Sequence, residues 1–202
     1  MLEYTLEEKL SEQGFRAVCG VDEAGRGPLC GPVVAAAVIL PQGLYLEGLN
    51  DSKKLTEKKR EALYDAICEN ALAYAIAESS VEQINETNIL EATLSAMRTA
   101  IASLPIQADF ALIDGNIAKG FPIPAQAVVH GDAISPSIAA ASILAKVTRD
   151  RLCIELDRQY PQYGIAKHKG YGTKVHMDAL RTYGPAPIHR TKFIRFLGDD
   201  NA

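Results

Sequence analysis

Four acidic residues stand where an acid is costly. Asp22 and Glu23 follow the apolar run AVCGV, Asp114 ends FALID, and Asp132 follows AQAVVHG. A carboxylate beside a buried strand is destabilising unless it is paired or bound to metal. Several that converge repel one another until a cation neutralises them. Hard divalent ions such as Mg2+ or Mn2+ take oxygen ligands of this kind and keep water and phosphate oxygens in their shell. Metal-assisted phosphoryl transfer is the chemistry this set suggests. Taken singly, Asp114 and Asp132 read as turn residues, because D-G and G-D are ordinary turn dipeptides. Three acid-bearing strand ends together favour the metal site.

The segment GVDEAGRG, Gly20 to Gly27, has the glycine spacing of a phosphate-cradling loop, but Arg26 stands in the lysine position and Gly27 in the Ser/Thr position. Asp22 and Glu23 would also repel the phosphates that such a loop wraps. Gly25, Gly27 and Gly31 likewise miss the dinucleotide-binding spacing. Nucleotide cradling is therefore rejected. Successive strand residues point to opposite faces, so Asp22 and Glu23 cannot both reach one site from a regular strand. Either the strand breaks at Ala24-Gly25, or one residue contributes through its backbone oxygen.

The elements that must position these residues are legible in outline. FRAVCGVDEA and VVAAAVIL read as a hairpin joined by the glycine loop, and ALAYAIAES, DFALIDG and AQAVVHGD as three further strands. A helix capped by Thr56, one or two helices over 82–103, and a long helix capped by Ser135 or Ser137 and stopped by Pro161 separate them. The fold class is α/β, with a mixed five-stranded sheet flanked by helices. The 202 residues suit a single domain, with residues from about 160 to 202 forming a basic, helical C-terminal lobe of it. Ser52 and Lys53, in DSKK, and Ser142 and Lys146, on the long helix, are candidate phosphate contacts. Lys58, Lys59 and Arg60 read instead as a solvated helix face.

Bulk properties narrow the class. The net charge is −4, but nine acids face one Arg between Glu61 and Asp114, whereas eleven Lys or Arg face four acids between Lys146 and Phe196. One half could meet a polyanion. Cys19, Cys30, Cys68 and Cys153 are widely spaced and far in sequence from His130, His168, His176 and His189, so zinc is set aside and a reducing cytoplasm is expected. The acidic start, MLEYTLEEKL, argues against secretion, and prolines interrupt the longest uncharged run, so no membrane span is expected.

The blocks GVDEAGRGPLCGPVVAAAVIL, LNDSKKL, LIDGN, GDAISPSIAAASILAKVTRD and HKGYGT resemble, in this order, the bacterial type 2 ribonucleases H, the ribonuclease HII family. The resemblance implies a ribonuclease H-like fold and cleavage of RNA paired with DNA, including single ribonucleotides embedded in duplex DNA. It implies that Asp22, Glu23, Asp114 and Asp132 bind metal and catalyse. Gly25, Arg26 and Gly27 would read the ribose 2′-hydroxyl, and Tyr171 would pack on the following deoxyribose. Glycines let a backbone approach a sugar closely, and the 2′-hydroxyl is what separates RNA from DNA locally. Two ions about 4 Å apart, bridged by Asp22 and the scissile phosphate, are the expected arrangement. His130 stands where lysine is more usual in the family, and GDAIS lacks a basic residue just after the acid. The short segment before the first block favours this family over the related ribonuclease HIII, which carries an extra substrate-binding domain. A monomer is expected.

Overall fold

The computed structural model describes residues 2–50 and 52–199, without the side chains of residues 53, 198 and 199. In chain order the helices and strands are α1 (Thr5–Glu12), β1 (Val18–Ala24), β2 (Val33–Ile39), α2 (Glu57–Asn70), β3 (Ala73–Ser79), α3 (Val81–Glu86), α4 (Ile89–Ala102), β4 (Phe110–Asp114), β5 (Ala125–Val128), α5 (Pro136–Gln159), α6 (Ile165–His168), α7 (Lys174–Tyr183) and α8 (Phe196–Asp199). The strands form one sheet in the order β3-β2-β1-β4-β5. β1, β2 and β3 make an antiparallel meander, and β4 and β5 add in parallel on the far side of β1. This is the mixed five-stranded α/β arrangement expected. The expected second helical region resolves into α3 and α4.

Alternation along the strands sorts side chains onto two helical layers. Cys19 and Val21 of β1, with Ala35, Ala37 and Ile39 of β2, pack with Ala96, Met97 and Ala100 of α4. The interleaved Ala24, Val34, Ala36 and Val38 pack with Leu63 and Ile67 of α2 and with Ala140, Ile143 and Leu144 of α5. All of β2 is buried, which is why VVAAAVI shows no polar alternation. The alanines at its centre leave room for helices on both faces.

α5 approaches β1 most closely at Gly20. A Cβ built there would lie 2.1 Å from the Ser137 carbonyl carbon. Ser135 caps α5, its Oγ accepting from the Ile138 N–H, and Thr56 caps α2 by accepting from Lys59. Of the two caps open for α5, Ser135 is the one formed. Beyond α5, Tyr163, Ile165, Leu180 and Ile194 form a separate small core with Cys30 and Cys153. No helix among the described residues is long and apolar enough to cross a membrane.

Because the Gly20 contact is with main chain, neither element can give locally. Gly20→Ala is expected to lower stability by about 3 kcal/mol, the upper end for overpacking, in chemical denaturation. A loss below about 0.5 kcal/mol, within the scatter of ordinary surface changes, would mean that α5 can lift off β1 cheaply.

Candidate active site

Asp22 and Glu23 belong to β1 itself, which runs on to Ala24. The alternation of β1 turns Asp22 to the α5 layer and Glu23 to the α4 layer. The strand then stops at Gly25, whose φ of +101° turns the chain away. The strand thus ends at Ala24-Gly25, directly after the two acids. Both residues border the same cleft because it lies across the end of the strand. β1 and β4 pair in parallel with Val21 beside Ile113, so the next step of the register sets Asp114 alongside Asp22. The turn after β5 holds Asp114, its Oδ1 accepting from the Gly131 N–H at 2.7 Å.

Asp132 departs from the expected strand end. β5 stops at Val128, His130 is left-handed at φ 56°, and Asp132 lies on a single 3-10 turn, Gly131–Ala133, leading into α5. The chain needs these four residues to reverse from strand to helix. Asp132 is buried there and is not among the residues lining the cleft.

The cleft has a volume of about 440 Å3. Asp22, Glu23 and Asp114 line it together with Gly25, Arg26, Gly27 and Tyr171 and with Ser52, Arg60, Ser142 and Lys146, and Arg149 reaches it from beneath Gly25. Arg26 Nη1 reaches back to Glu23 Oε1 at 3.4 Å. The Tyr171 ring is half exposed and lies over Gly27, where a Cβ would be 3.4 Å from Cε1. Ser52 and Ser142 are buried and share a 2.8 Å hydrogen bond. Lys146 Nζ lies 2.7 Å from Asp150 Oδ1. The Lys53 side chain lies outside the described part of the chain.

Two cleft residues were missed. Arg60, read as solvated, is mostly buried, donating to the Ser52 and Leu55 carbonyls at 3.0 and 2.6 Å and lying 3.9 Å from Asp150. It ties α2 to the turn that carries Ser52, a contact no local pattern announces. Arg149 was legible, because Ser142, Lys146 and Arg149 fall at helical spacing on one face of α5.

The spacing argument against zinc does not survive folding. Cys30, His176 and His189 are buried with their ligand atoms within 4.8 Å of one another. Three such atoms are one short of a closed tetrahedral site, and both imidazoles are already engaged. His176 Nδ1 donates to the Tyr171 carbonyl at 3.0 Å, and the two Nε2 atoms are 3.1 Å apart. His189 Nδ1 accepts from the Ala186 N–H at 3.0 Å. Burial holds both rings below the usual histidine range, His189 at about 4. Two neutral rings complete this chain with one N–H between them. Its effect is to fasten the loop that carries Tyr171.

Burial pushes the Asp22 carboxyl well above the usual carboxylate range, and the neighbouring charges of Glu23 and Asp114 push it further. The Ser142 hydroxyl and the Glu23 N–H, 2.7 Å from Asp22 Oδ1, act the other way without prevailing. Facing carboxylates with oxygen donors only, one of them strained by its own ionisation, fit a hard divalent cation. Without metal, the folded state binds a proton at Asp22 more tightly than the unfolded chain does. Stability is then lost as pH rises from the unfolded carboxylate range, about 4, through the raised folded value. Metal-free Asp22→Asn is therefore expected to melt above the parent at pH 8, by about 2–4 °C per kcal/mol released, with the gap closing toward pH 4. Mg2+ should raise the melting temperature of the parent more than that of the variant. Equal melting temperatures at pH 8 would refute the strain.

Comparison with known proteins agrees with this geometry. The sequence profile described as Ribonuclease HII matches residues 19–196. A ribonuclease HII from Acholeplasma laidlawii is 54% identical over 187 residues, covering 93% of this chain and 92% of the relative. One from Acetivibrio thermocellus is 52% identical over 189 residues, covering 94% and 74%. The crystal structure of the ribonuclease H2 from Pyrococcus horikoshii superposes with a TM-score of 0.75 at 28% identity, covering 92% of this chain and 98% of that one. The chain thus belongs to the ribonuclease HII family and is a divalent-metal-dependent endoribonuclease acting on RNA–DNA hybrids.

Proposed function

We propose that this enzyme cuts on the 5′ side of ribonucleotides, including single ones embedded in duplex DNA, leaving a 3′-hydroxyl and a 5′-phosphate. The observation that carries this reading is the shared cleft. The acids at the ends of β1 and β4 and the Gly25–Gly27 and Tyr171 wall line one space, so a sugar examined by the wall lies beside the carboxylates. A site for phosphodiester hydrolysis without sugar selection would not need an exposed ring packed over a glycine.

Asp22, Glu23 and Asp114 would hold two Mg2+ or Mn2+ ions, with Asp132 the fourth carboxylate of the set. When bound, such a pair supplies an activated water and neutralises the leaving 3′-oxygen. The protein's own groups do the rest. The Gly131 amide orients Asp114 and the Glu23 amide orients Asp22. Ser52, Lys53, Ser142 and Lys146 would contact backbone phosphates, with Asp150 holding the Lys146 ammonium in place. Arg60 adds positive charge beside Lys146, and Arg149 adds it beneath Gly25. Gly25, Arg26 and Gly27 would contact the 2′-hydroxyl, and the Tyr171 ring would lie against the next sugar, where a second hydroxyl would crowd it. The enzyme would act as a monomer.

The test is a duplex carrying one ribonucleotide, incubated with and without Mg2+ or Mn2+, with the products mapped. One cut, 5′ of the ribonucleotide and only with metal, is expected. Asp114→Asn should lower kcat by about 100-fold or more, the scale of removing one preorganised electrostatic group. Gly27→Ala should leave metal affinity intact while weakening the preference for the ribonucleotide. Scattered cuts in the DNA, or metal-independent cleavage, would overturn the reading.

A further inference from the structure

Arg190 is fully buried, and the loop from Gly25 to Pro32 is wrapped around it. Nε donates to the Gly31 carbonyl at 2.9 Å. Nη1 donates to the carbonyls of Arg26 at 3.0 Å and Pro28 at 2.9 Å, and Nη2 to those of Gly25, Gly31 and Pro32 at 2.7, 2.8 and 3.2 Å. Arg149, also buried, works on the other side, donating to the Cys30, Pro32 and Lys169 carbonyls. Among the described residues neither guanidinium has a carboxylate within 4.0 Å. A buried cation without a counter-ion is destabilising in isolation, so the carbonyl dipoles of the loop are what keep Arg190 in place. The dependence is mutual, because the Gly25, Arg26, Pro28 and Gly31 carbonyls accept from no other donor among the described residues.

Peptide planarity gives this contact a consequence on the opposite side of the loop. The carbonyl of one residue and the N–H of the next point in opposite directions. With the Gly25 and Arg26 carbonyls drawn inward onto Arg190, the N–H groups of Arg26 and Gly27 are turned away from it. Neither donates to a partner among the described residues, and both residues line the cleft. Two adjacent donors held in this way suit an oxygen acceptor on a sugar.

We infer that Arg190 is a positioning residue for ribonucleotide selection, holding the Gly25 and Arg26 carbonyls so that the Arg26 and Gly27 amides face the ribose 2′-oxygen. This rests on the reading of Gly25–Gly27 as the sugar-sensing wall. Arg190 never touches substrate. Its planar fork with five N–H groups meets five carbonyls around one centre, whereas lysine offers three donors from a point. Arg190→Lys therefore keeps the charge and releases part of the loop.

Three measurements on the full chain separate this role from general support of the fold. The first compares affinity for a duplex with one ribonucleotide against the all-DNA duplex, by anisotropy in Ca2+ so that cleavage does not intervene. The parent is expected to prefer the ribonucleotide by about 10-fold, the worth of two net hydrogen bonds, and Arg190→Lys to lose most of that preference while binding all-DNA duplex as the parent does. The second is Mn2+ affinity, expected to be unchanged. The third is the amide 1H–15N spectrum, in which the Arg26 and Gly27 signals should move in Arg190→Lys. If Arg190→Lys does not fold, Arg190→Ala with added guanidinium ion replaces it, and failure of guanidinium to restore the preference counts against the proposal. An Arg190→Lys protein with the parent's preference and unmoved amides overturns it. A parent with no preference overturns the sugar-sensing reading, and the amide signals then judge the positioning of the loop on their own.

Discussion

Three carboxylates meet where two parallel strands end, and the cleft is arranged around the charge they carry together. Asp22 and Asp114 lie side by side in register on neighbouring strands, with Glu23 one residue on and facing the other helical layer. The fold gives Asp22 one amide and one hydroxyl, too little to offset its burial and its two acidic neighbours. A site that keeps its ligands strained in the absence of metal gains affinity when the cation arrives, because binding relieves the repulsion.

The sheet and its two helical layers serve this arrangement by being rigid where the acids sit. α5 contacts β1 through bare backbone at Gly20, two residues before Asp22, and also carries Ser142, Lys146 and Arg149 into the cleft. Strand and helix thus meet at a fixed spacing, which sets the distance between the carboxylate floor and the basic wall. The opposite wall has no regular structure and is held instead by two buried guanidiniums, by the Gly170 carbonyl accepting from the Leu29 N–H at 2.8 Å, and by the histidine chain behind Tyr171. The buried cations beneath that wall also favour the approach of a polyanion, although the chain as a whole carries a net charge of −4.

Much of this was legible in the sequence, and what was not is instructive. An acid after a run such as AVCGV or FALI is a strong signal because burial makes it costly, so Asp22, Glu23 and Asp114 stood out from their local context alone. Asp132 carries the same signal but is placed by a turn, Gly131–Ala133, whose left-handed entry at His130 no periodicity reveals. Arg190 acts through backbone carbonyls that are distant in sequence, and an arginine that bonds only main chain leaves no pattern in its neighbours; Arg60 is drawn in by the turn that carries Ser52 and by Asp150 on α5. The gathering of Cys30, His176 and His189 was hidden for the same reason, since it depends on how the loop after β1 lies against the segment after α7. Pattern reading finds the groups that strain the fold and misses those that quietly hold it.

The most direct test of the account is the titration of Asp22 itself, followed by the 13C signal of its carboxyl in the metal-free protein and again with saturating Mg2+. The expected result is a metal-free titration well above the ordinary carboxylate range of about 4, moving sharply downward when Mg2+ binds. An Asp22 that titrates in the ordinary range and is indifferent to Mg2+ would contradict the claim that converging, buried carboxylates are what the metal site is built from.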